Sequence, residues 1–428
     1  MNRSDGSPPS AKQAPPATQP ESPRDQNAGT VSRPIGMLSD RQASLRAVDR
    51  AMGDLRRGDF VLVRPDRGPA LLAVACENAS DAVLTRLAEL SGGPLSIAIT
   101  LQRAIALGLA EARTADPVGG DAAEVAAAGV MTLTPGTDAP SAGLVRALAD
   151  PLERVAPSAL DGLQQRIIRP DPVTTSQDGA LATVRLAKLA RLLPAVVVAP
   201  IDRPLGVERL LSKTDCLSVT AFDIDQYEDY GARSLYPVAR ARVPLDLAHA
   251  TEVVAFRPTD GGQEHLAIVI GSPDTSAPVL IRLHSECFTG DLLGSMRCDC
   301  GEQLRGAIAE IARSGSGVLL YLAQEGRGIG LINKLRAYRL QDDDFDTVDA
   351  NEMLGYDADE RIYRPAVRML DLLGVESVRL LTNNPDKVAQ LQRFGIDVAE
   401  RVAHEFPANG HNEFYLRTKR DRSGHILL

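Results

Sequence analysis

Apolar patterning begins late in this chain. Residues 1–38 are rich in Ser, Pro, Gln and Asp and carry almost no bulky apolar side chains. Such a stretch cannot bury enough surface to offset the entropy of ordering, and it is expected to be a disordered tail. From Ser39 or Asp40, either of which would cap a helix, Leu45, Val48 and Met52 recur at helical spacing. Four apolar runs then read as strands: Phe60–Val63, Ala70–Ala75, Leu95–Ile99 and Ala195–Val198. Ala/Leu-rich stretches of helical character lie between them, Ala122–Val130 among them. The alternation predicts an α/β sandwich over residues 39–230.

Residues 231–241 read as a connection to a second domain over 242–428. That domain opens on strands at Glu252–Phe256, Leu266–Ile270 and Val279–Leu283. A helix from about Glu302 to Arg313 follows, with Leu304, Ile308 and Ile311 on one face and Gly315 as terminator. Strand Val318–Leu322 and helices Leu331–Leu340 and Arg364–Leu373 come next. Strand Ser377–Leu381, helix Asp386–Phe394 and strand Ile396–Val402 complete a mixed sheet with helices, an α/β or α+β unit. Two domains also suit a length of 428 residues, too great for one ordinary core.

Charge and cysteine content narrow the chemistry. A net charge of −9 offers no broad basic surface for nucleic acid or anionic membrane, so an anionic ligand would need positive charge gathered locally. The opening MNRSDGSPPS lacks the apolar stretch of a signal peptide, and no segment has the uninterrupted apolar length of a membrane span. A cytoplasmic location is expected. Five cysteines in a long chain argue against a disulfide framework.

Three of them, Cys287, Cys298 and Cys300, are clustered. Three thiolates leave the fourth position of a zinc tetrahedron for water, the pattern of a catalytic site. His284 is an alternative fourth ligand. Strand alternation, however, sets Arg282, His284 and Glu286 on one face, which also suits substrate contact. The bland alternative is three reduced cysteines acting as small hydrophobes; the polar flanks Ser285, Glu286, Arg297 and Asp299 count against it.

The run Arg282-Leu-His-Ser-Glu-Cys-Phe-Thr-Gly-Asp291, followed by Ser295-Met-Arg-Cys-Asp-Cys-Gly-Glu-Gln-Leu304, closely resembles the GTP cyclohydrolase II family. The likeness continues in order through Gln324-Glu-Gly-Arg-Gly-Ile-Gly330, Lys334-Leu-Arg-Ala-Tyr338, Asp346-Thr-Val-Asp-Ala-Asn351, Ala358-Asp-Glu-Arg361 and Leu380-Leu-Thr-Asn-Asn-Pro385. The resemblance implies opening of the guanine imidazole ring of GTP. Formate and pyrophosphate leave, and a diaminopyrimidinone ribosyl phosphate remains for riboflavin synthesis. It implies zinc on Cys287, Cys298 and Cys300, magnesium arriving with GTP, and a homodimer. Asp359 takes the place of the family's proton acceptor, Arg361 of its proposed nucleophile and Tyr338 of an active-site tyrosine. A guanidinium stays protonated in nearly any site, so electrostatic stabilisation is an equally physical role for Arg361. GTP contacts are implied at Arg282, Leu283, His284, Ser285, Glu286, Gln303, Glu325, Gly326, Arg327, Thr347, Thr382 and Lys387.

More faintly, residues 45–230 resemble 3,4-dihydroxy-2-butanone 4-phosphate synthase. The likeness rests on Ala47–Val63, Leu144–Pro151 and Val184–Ala190. That family's acidic, metal-binding loop is replaced here by Arg64-Pro-Asp-Arg-Gly-Pro-Ala-Leu71, and its Gly-His-Thr-Glu by Asp178-Gly-Ala-Leu181. Gly, Ala and Leu cannot ligate a metal through side chains. The first domain is therefore expected to be non-catalytic, with a structural, dimerising or regulatory role. The alternatives are a bifunctional enzyme that also makes dihydroxybutanone phosphate, and a non-catalytic nucleotide sensor or scaffold. Intact Cys287, Cys298, Cys300, Asp359 and Arg361 count against the last.

Overall fold

The computed structural model describes residues 40–111, 129–136, 139–169, 178–201 and 204–404. The expected tail at 1–38, most of Ala122–Val130 and the end of the second domain beyond His404 lie outside them.

Two seven-stranded mixed sheets organise the described residues. The first runs β5-β4-β3-β6-β2-β1-β7, from β1 (Val61–Arg64), β2 (Ala70–Ala75), β3 (Ser96–Thr100), β4 (Val130–Thr134), β5 (Gln164–Ile168), β6 (Ala195–Ile201) and β7 (Leu217–Thr220). Among the described residues, only its β1–β7 pair is parallel. One face packs on helices Asp40–Arg57, Gly179–Leu189 and Ala221–Arg233, and the other on Asp81–Ser91 and Ala142–Ala149. The expected α/β sandwich is therefore present. Val130, expected to end a helix, instead starts β4, because it pairs with Thr100 of β3. Asp178 caps helix Gly179–Leu189, accepting from the Ala180 amide at 2.8 Å. A Cβ on Gly179 would come within 2.8 Å of the Leu71 side chain. Both replaced motifs thus serve capping and packing.

The second sheet runs β14-β13-β11-β12-β10-β9-β8, from β8 (Tyr236–Arg242), β9 (Thr251–Arg257), β10 (His265–Ile270), β11 (Val279–Ser285), β12 (Gly317–Leu322), β13 (Ser377–Leu381) and β14 (Asp397–Val402). Helix Cys300–Arg313 covers one face through Leu304, Ala307, Ile308 and Ile311. Helices Arg364–Leu372 and Pro385–Arg393 cover the other. Residues 231–241 are not a linker. Gly231–Arg233 finish a helix, and Tyr236 onward forms β8, an edge strand antiparallel to β9. Every β8 residue is exposed, so it lacks the inward apolar positions that mark a strand in sequence.

The two sheets belong to one compact unit. Ile329, Ala337, Leu340, Ala350, Leu354 and Tyr356 pack into the core under the first sheet. They come from helices Leu331–Gln341 and Thr347–Met353 and the adjoining loops. None of the helices in the described residues is long and apolar enough to cross a membrane.

Candidate active site

β11 delivers Arg282 and His284 to one face and ends at Ser285; Cys287 then opens a single wide turn, Phe288–Leu292. Cys298 and Cys300 approach at the start of helix Cys300–Arg313. The three Sγ atoms lie within 4.8 Å of one another, with Cys287 and Cys298 at 3.7 Å. Tetrahedral zinc, with Zn–S bonds of about 2.3 Å, separates its sulfurs by ~3.8 Å, so the cage fits zinc. Two glycines permit it. A Cβ on Gly290 would stand 2.9 Å from Cys298 Sγ and 3.0 Å from Cys287 Sγ, and one on Gly301 would stand 2.3 Å from the Gly290 carbonyl oxygen. The neighbouring thiols and then the Lys334 ammonium, whose Nζ lies 3.0 Å from Cys287 Sγ, favour the Cys287 thiolate strongly.

His284 is held rather than ligating. Its Nε2 bonds Asp291 at 3.1 Å and its ring stacks on Tyr321, whose hydroxyl donates to the same carboxylate at 2.9 Å. Asp291 also accepts from the Cys287 amide at 3.0 Å, so one carboxylate fixes both the histidine and a cage residue. Burial lowers the pKa of His284 even against Asp291.

After β12 the chain makes a tight turn, Glu325–Gly328, with left-handed φ of 64° at Gly326 and 59° at Arg327. The arginine is costly there, since a non-glycine residue loses roughly 1–2 kcal/mol in that region. Its Nη1 donates to the Ala358 carbonyl at 3.2 Å, tying the turn to the loop that carries Arg361. Glu325 accepts from Lys334 at 2.7 Å and from the Phe288 amide at 2.6 Å. Arg361 grips Asp359 bidentately, with Nε to Oδ1 at 2.8 Å and Nη2 on Oδ2. Burial works to raise the Asp359 pKa, but Arg361 and Arg327 outweigh it and hold the carboxyl ionised.

One pocket gathers Arg282, Leu283, His284, Ser285, Glu286, Gln303, Glu325, Gly326, Arg327, Thr347, Thr382, Lys387, Tyr338 and Arg361 with the three cysteines. Leu283 buries its side chain in the core and offers its carbonyl, which accepts from Lys387 Nζ at 3.2 Å. Gln303 accepts from Arg282 at 2.6 Å, and Thr347 from Gln341 at 3.3 Å. Asp359 does not line the pocket; it stands behind Arg361. Among the described residues, Ser285 Oγ and Arg282 Nε are buried without a hydrogen-bond partner.

Compared with known proteins, the chain is 52% identical to the GTP cyclohydrolase-2 of Azospirillum brasilense over 395 residues, 92% of this chain and 97% of that one. The chain belongs to the GTP cyclohydrolase II family. The family profile, described as GTP cyclohydrolase II, matches residues 237–403, beginning in β8. The riboflavin biosynthesis protein RibBA of Bacillus cereus is 45% identical over 253 residues, 58% of this chain and 64% of that protein. Among solved structures, RibBX, a two-domain 3,4-dihydroxy-2-butanone 4-phosphate synthase from A. baumannii, covers 78% of this chain and 93% of its own, at 17% identity and a TM-score of 0.33. That superposition is too loose to build on. The protein is thus an enzyme of the GTP cyclohydrolase II type, within riboflavin biosynthesis.

Sequence reasoning missed several residues in and around this pocket. Lys334 and Asp291 fall inside the motifs, but only their 3.0 Å contacts with Cys287 reveal their work. Asn351, Asn383 and His404 line the pocket from distant elements. His404 Nε2 donates to the Gln303 carbonyl at 3.0 Å, a contact across about a hundred residues that no local pattern signals.

Proposed function

We propose that the protein hydrolyses GTP to formate, pyrophosphate and a diaminopyrimidinone ribosyl phosphate, the first step of riboflavin biosynthesis. The observation that carries this reading is a three-sulfur cage of zinc dimensions opening into a pocket lined by Arg282, Arg297, Arg327, Lys334, Arg361 and Lys387. An acidic protein with that local concentration of cations suits a triphosphate.

Cys287, Cys298 and Cys300 would hold the zinc. Bound there, zinc would supply Lewis acidity, which lowers the pKa of a water to about 7. Magnesium is expected on the triphosphate itself. The protein's own groups orient and stabilise. Burial and then the charge of Glu325 raise the Glu286 carboxyl, which lets it exchange hydrogen bonds or a proton with the base. Arg282 and Lys387 sit beneath the pocket as buried cations; burial draws Arg282 down to about 10, still charged at neutral pH. Arg361, fixed by Asp359, is a preset cation for charge developing at the α-phosphate as pyrophosphate departs. Its charge and its ionised partner favour that electrostatic role over a nucleophilic one. Tyr338 sits between cage and cations, its hydroxyl 3.3 Å from Thr289 Oγ1 and its ring 5.0 Å from the Arg297 guanidinium.

The exposed apolar side chains Leu292, Leu293, Met296, Ile332 and Leu335 beside the site support assembly as a homodimer. Incubation of the purified protein with GTP and magnesium should release formate and pyrophosphate in equal amounts. Pyrophosphate without formate, or neither from zinc-loaded protein, would overturn the reading.

A further inference from the structure

We infer that the first sheet's half is a working part of the cyclohydrolase site, and that Lys188 is a positioning residue for Asp359 and Arg361. The inference rests on the proposed role of those two residues.

Lys188 lies on helix Gly179–Leu189, in the half that has none of the pocket-lining motifs. Its Nζ reaches across to Glu360 Oε1 at 2.7 Å and Asp357 Oδ2 at 3.0 Å, the residues flanking Asp359. Burial works against the ammonium, but the two carboxylates outweigh it and keep it charged. Gln102, from the same half, donates to the other oxygen of Asp357. The clamped loop has little freedom left. The Glu360 amide donates to the Arg327 carbonyl at 3.0 Å, and Glu360 Oε1 also accepts from the Asp357 amide at 2.8 Å. A Cβ on Gly328 would lie 2.9 Å from the Glu360 carbonyl, so loop and glycine-rich turn touch backbone to backbone.

A second tie runs beneath the first. Tyr356 Oη donates to the Leu192 carbonyl at 2.5 Å and accepts from Asn333 Nδ2 at 3.0 Å. Asn333 Nδ2 also donates to the Arg191 carbonyl at 2.9 Å. Arg191, in the left-handed region at φ 58°, donates from Nη2 to the Ala323 carbonyl at 3.0 Å, just ahead of Glu325. Its side chain fills the space a Cβ on Gly330 would need. Both the Arg361 loop and the glycine-rich turn are therefore seated on the first half of the chain. Among the described residues the first half holds no cluster of metal-ligating side chains; what it gives the site is the floor under these loops.

The test is steady-state GTP turnover of the full-length chain with Lys188→Met, Lys188→Arg and Glu360→Gln, alongside zinc content and thermal midpoint. Lys188→Met is expected to lower kcat about 10- to 100-fold, the range for removing support behind a reacting group. KM should stay within about threefold, because the positioned pair acts chiefly in the transition state. Lys188→Arg should recover most of the loss, and Glu360→Gln should reproduce it without touching the first half, which decides the matter if Lys188→Met folds poorly. Arg86→Ala, which removes an exposed pair on the first half's surface, should change nothing. A kcat within about twofold of the parent in Lys188→Met and Glu360→Gln overturns the inference, as does a loss that merely follows zinc content and midpoint and that Lys188→Arg fails to restore. Absence of formate release by the parent protein would instead strike the proposed function.

Discussion

Gly290→Ala isolates the geometry of the cysteine cage. The backbone at Gly290 is outside the left-handed region, so alanine meets no conformational penalty there. Space is the obstacle. The new methyl would stand 2.9 Å from Cys298 Sγ, 3.0 Å from Cys287 Sγ and 3.0 Å from Cys300 Cβ. Comfortable contact needs about 3.5–4.0 Å, so the cage must open by roughly 0.5–1 Å. Zinc sites tolerate ligand displacements of only about 0.2 Å. Movement on that scale disturbs a cage whose Cys287 and Cys298 sulfurs now stand 3.7 Å apart. Zinc affinity should fall at least as far as when a ligand's support is removed, about 10- to 100-fold or 1.4–2.7 kcal/mol. Competition with a chromogenic chelator measures this directly, with turnover followed on the same samples. Gly143→Ala is the control: nothing lies within 4 Å of its Cβ, in a helix of the first half. Parental zinc affinity in Gly290→Ala would refute the reasoning from the cage.

Three further outcomes follow from the same geometry. Lys334→Met strands the Glu325 side chain, only 5% exposed, without its cation and should lower unfolding free energy in urea. The expected cost is about 3–5 kcal/mol, largely recovered by adding Glu325→Gln; a loss that persists in the double variant would contradict this. Arg361→Lys keeps the charge but loses the bidentate grip on Asp359, and kcat should fall about 100-fold with little change in KM; parental kcat would remove the arginine from the mechanism. Burial, helped by Arg282, pulls His404 down to about 4 from 6.5. As pH falls below the unfolded value, the unfolded chain binds the proton first. The contribution is thus complete above pH 6.5 and lost progressively toward about 4, worth at most about 3 kcal/mol. Denaturant melts of His404→Gln should show a flatter pH slope than the parent; an unchanged slope would clear His404 as its source.

The site was more legible in the sequence than the fold around it. Cys287, Cys298 and Cys300 sit close in the chain, and chemistry alone restricts what clustered thiols with polar flanks can do. The glycine-rich turn and the helix Leu331–Gln341 were likewise visible, because they are local. The strands β5 and β8 were not, since their side chains are almost wholly exposed and carry no apolar alternation. β4 escaped because an alanine-rich approach looked helical. Least legible was the shared core. Ile329, Ala337 and Tyr356 read as ordinary apolar positions of the second domain, yet they pack under the first sheet. Only the folded chain shows that Lys188 and Arg191 support loops more than a hundred residues away.

The claim that Cys287, Cys298 and Cys300 hold a catalytic zinc is tested most directly by stripping and restoring the metal. The protein is depleted with a chelator, zinc is returned in steps, and formate release from GTP is followed against bound zinc. Activity should vanish on depletion and return in proportion, saturating near one zinc per chain. Undiminished formate release from the depleted protein would contradict the account.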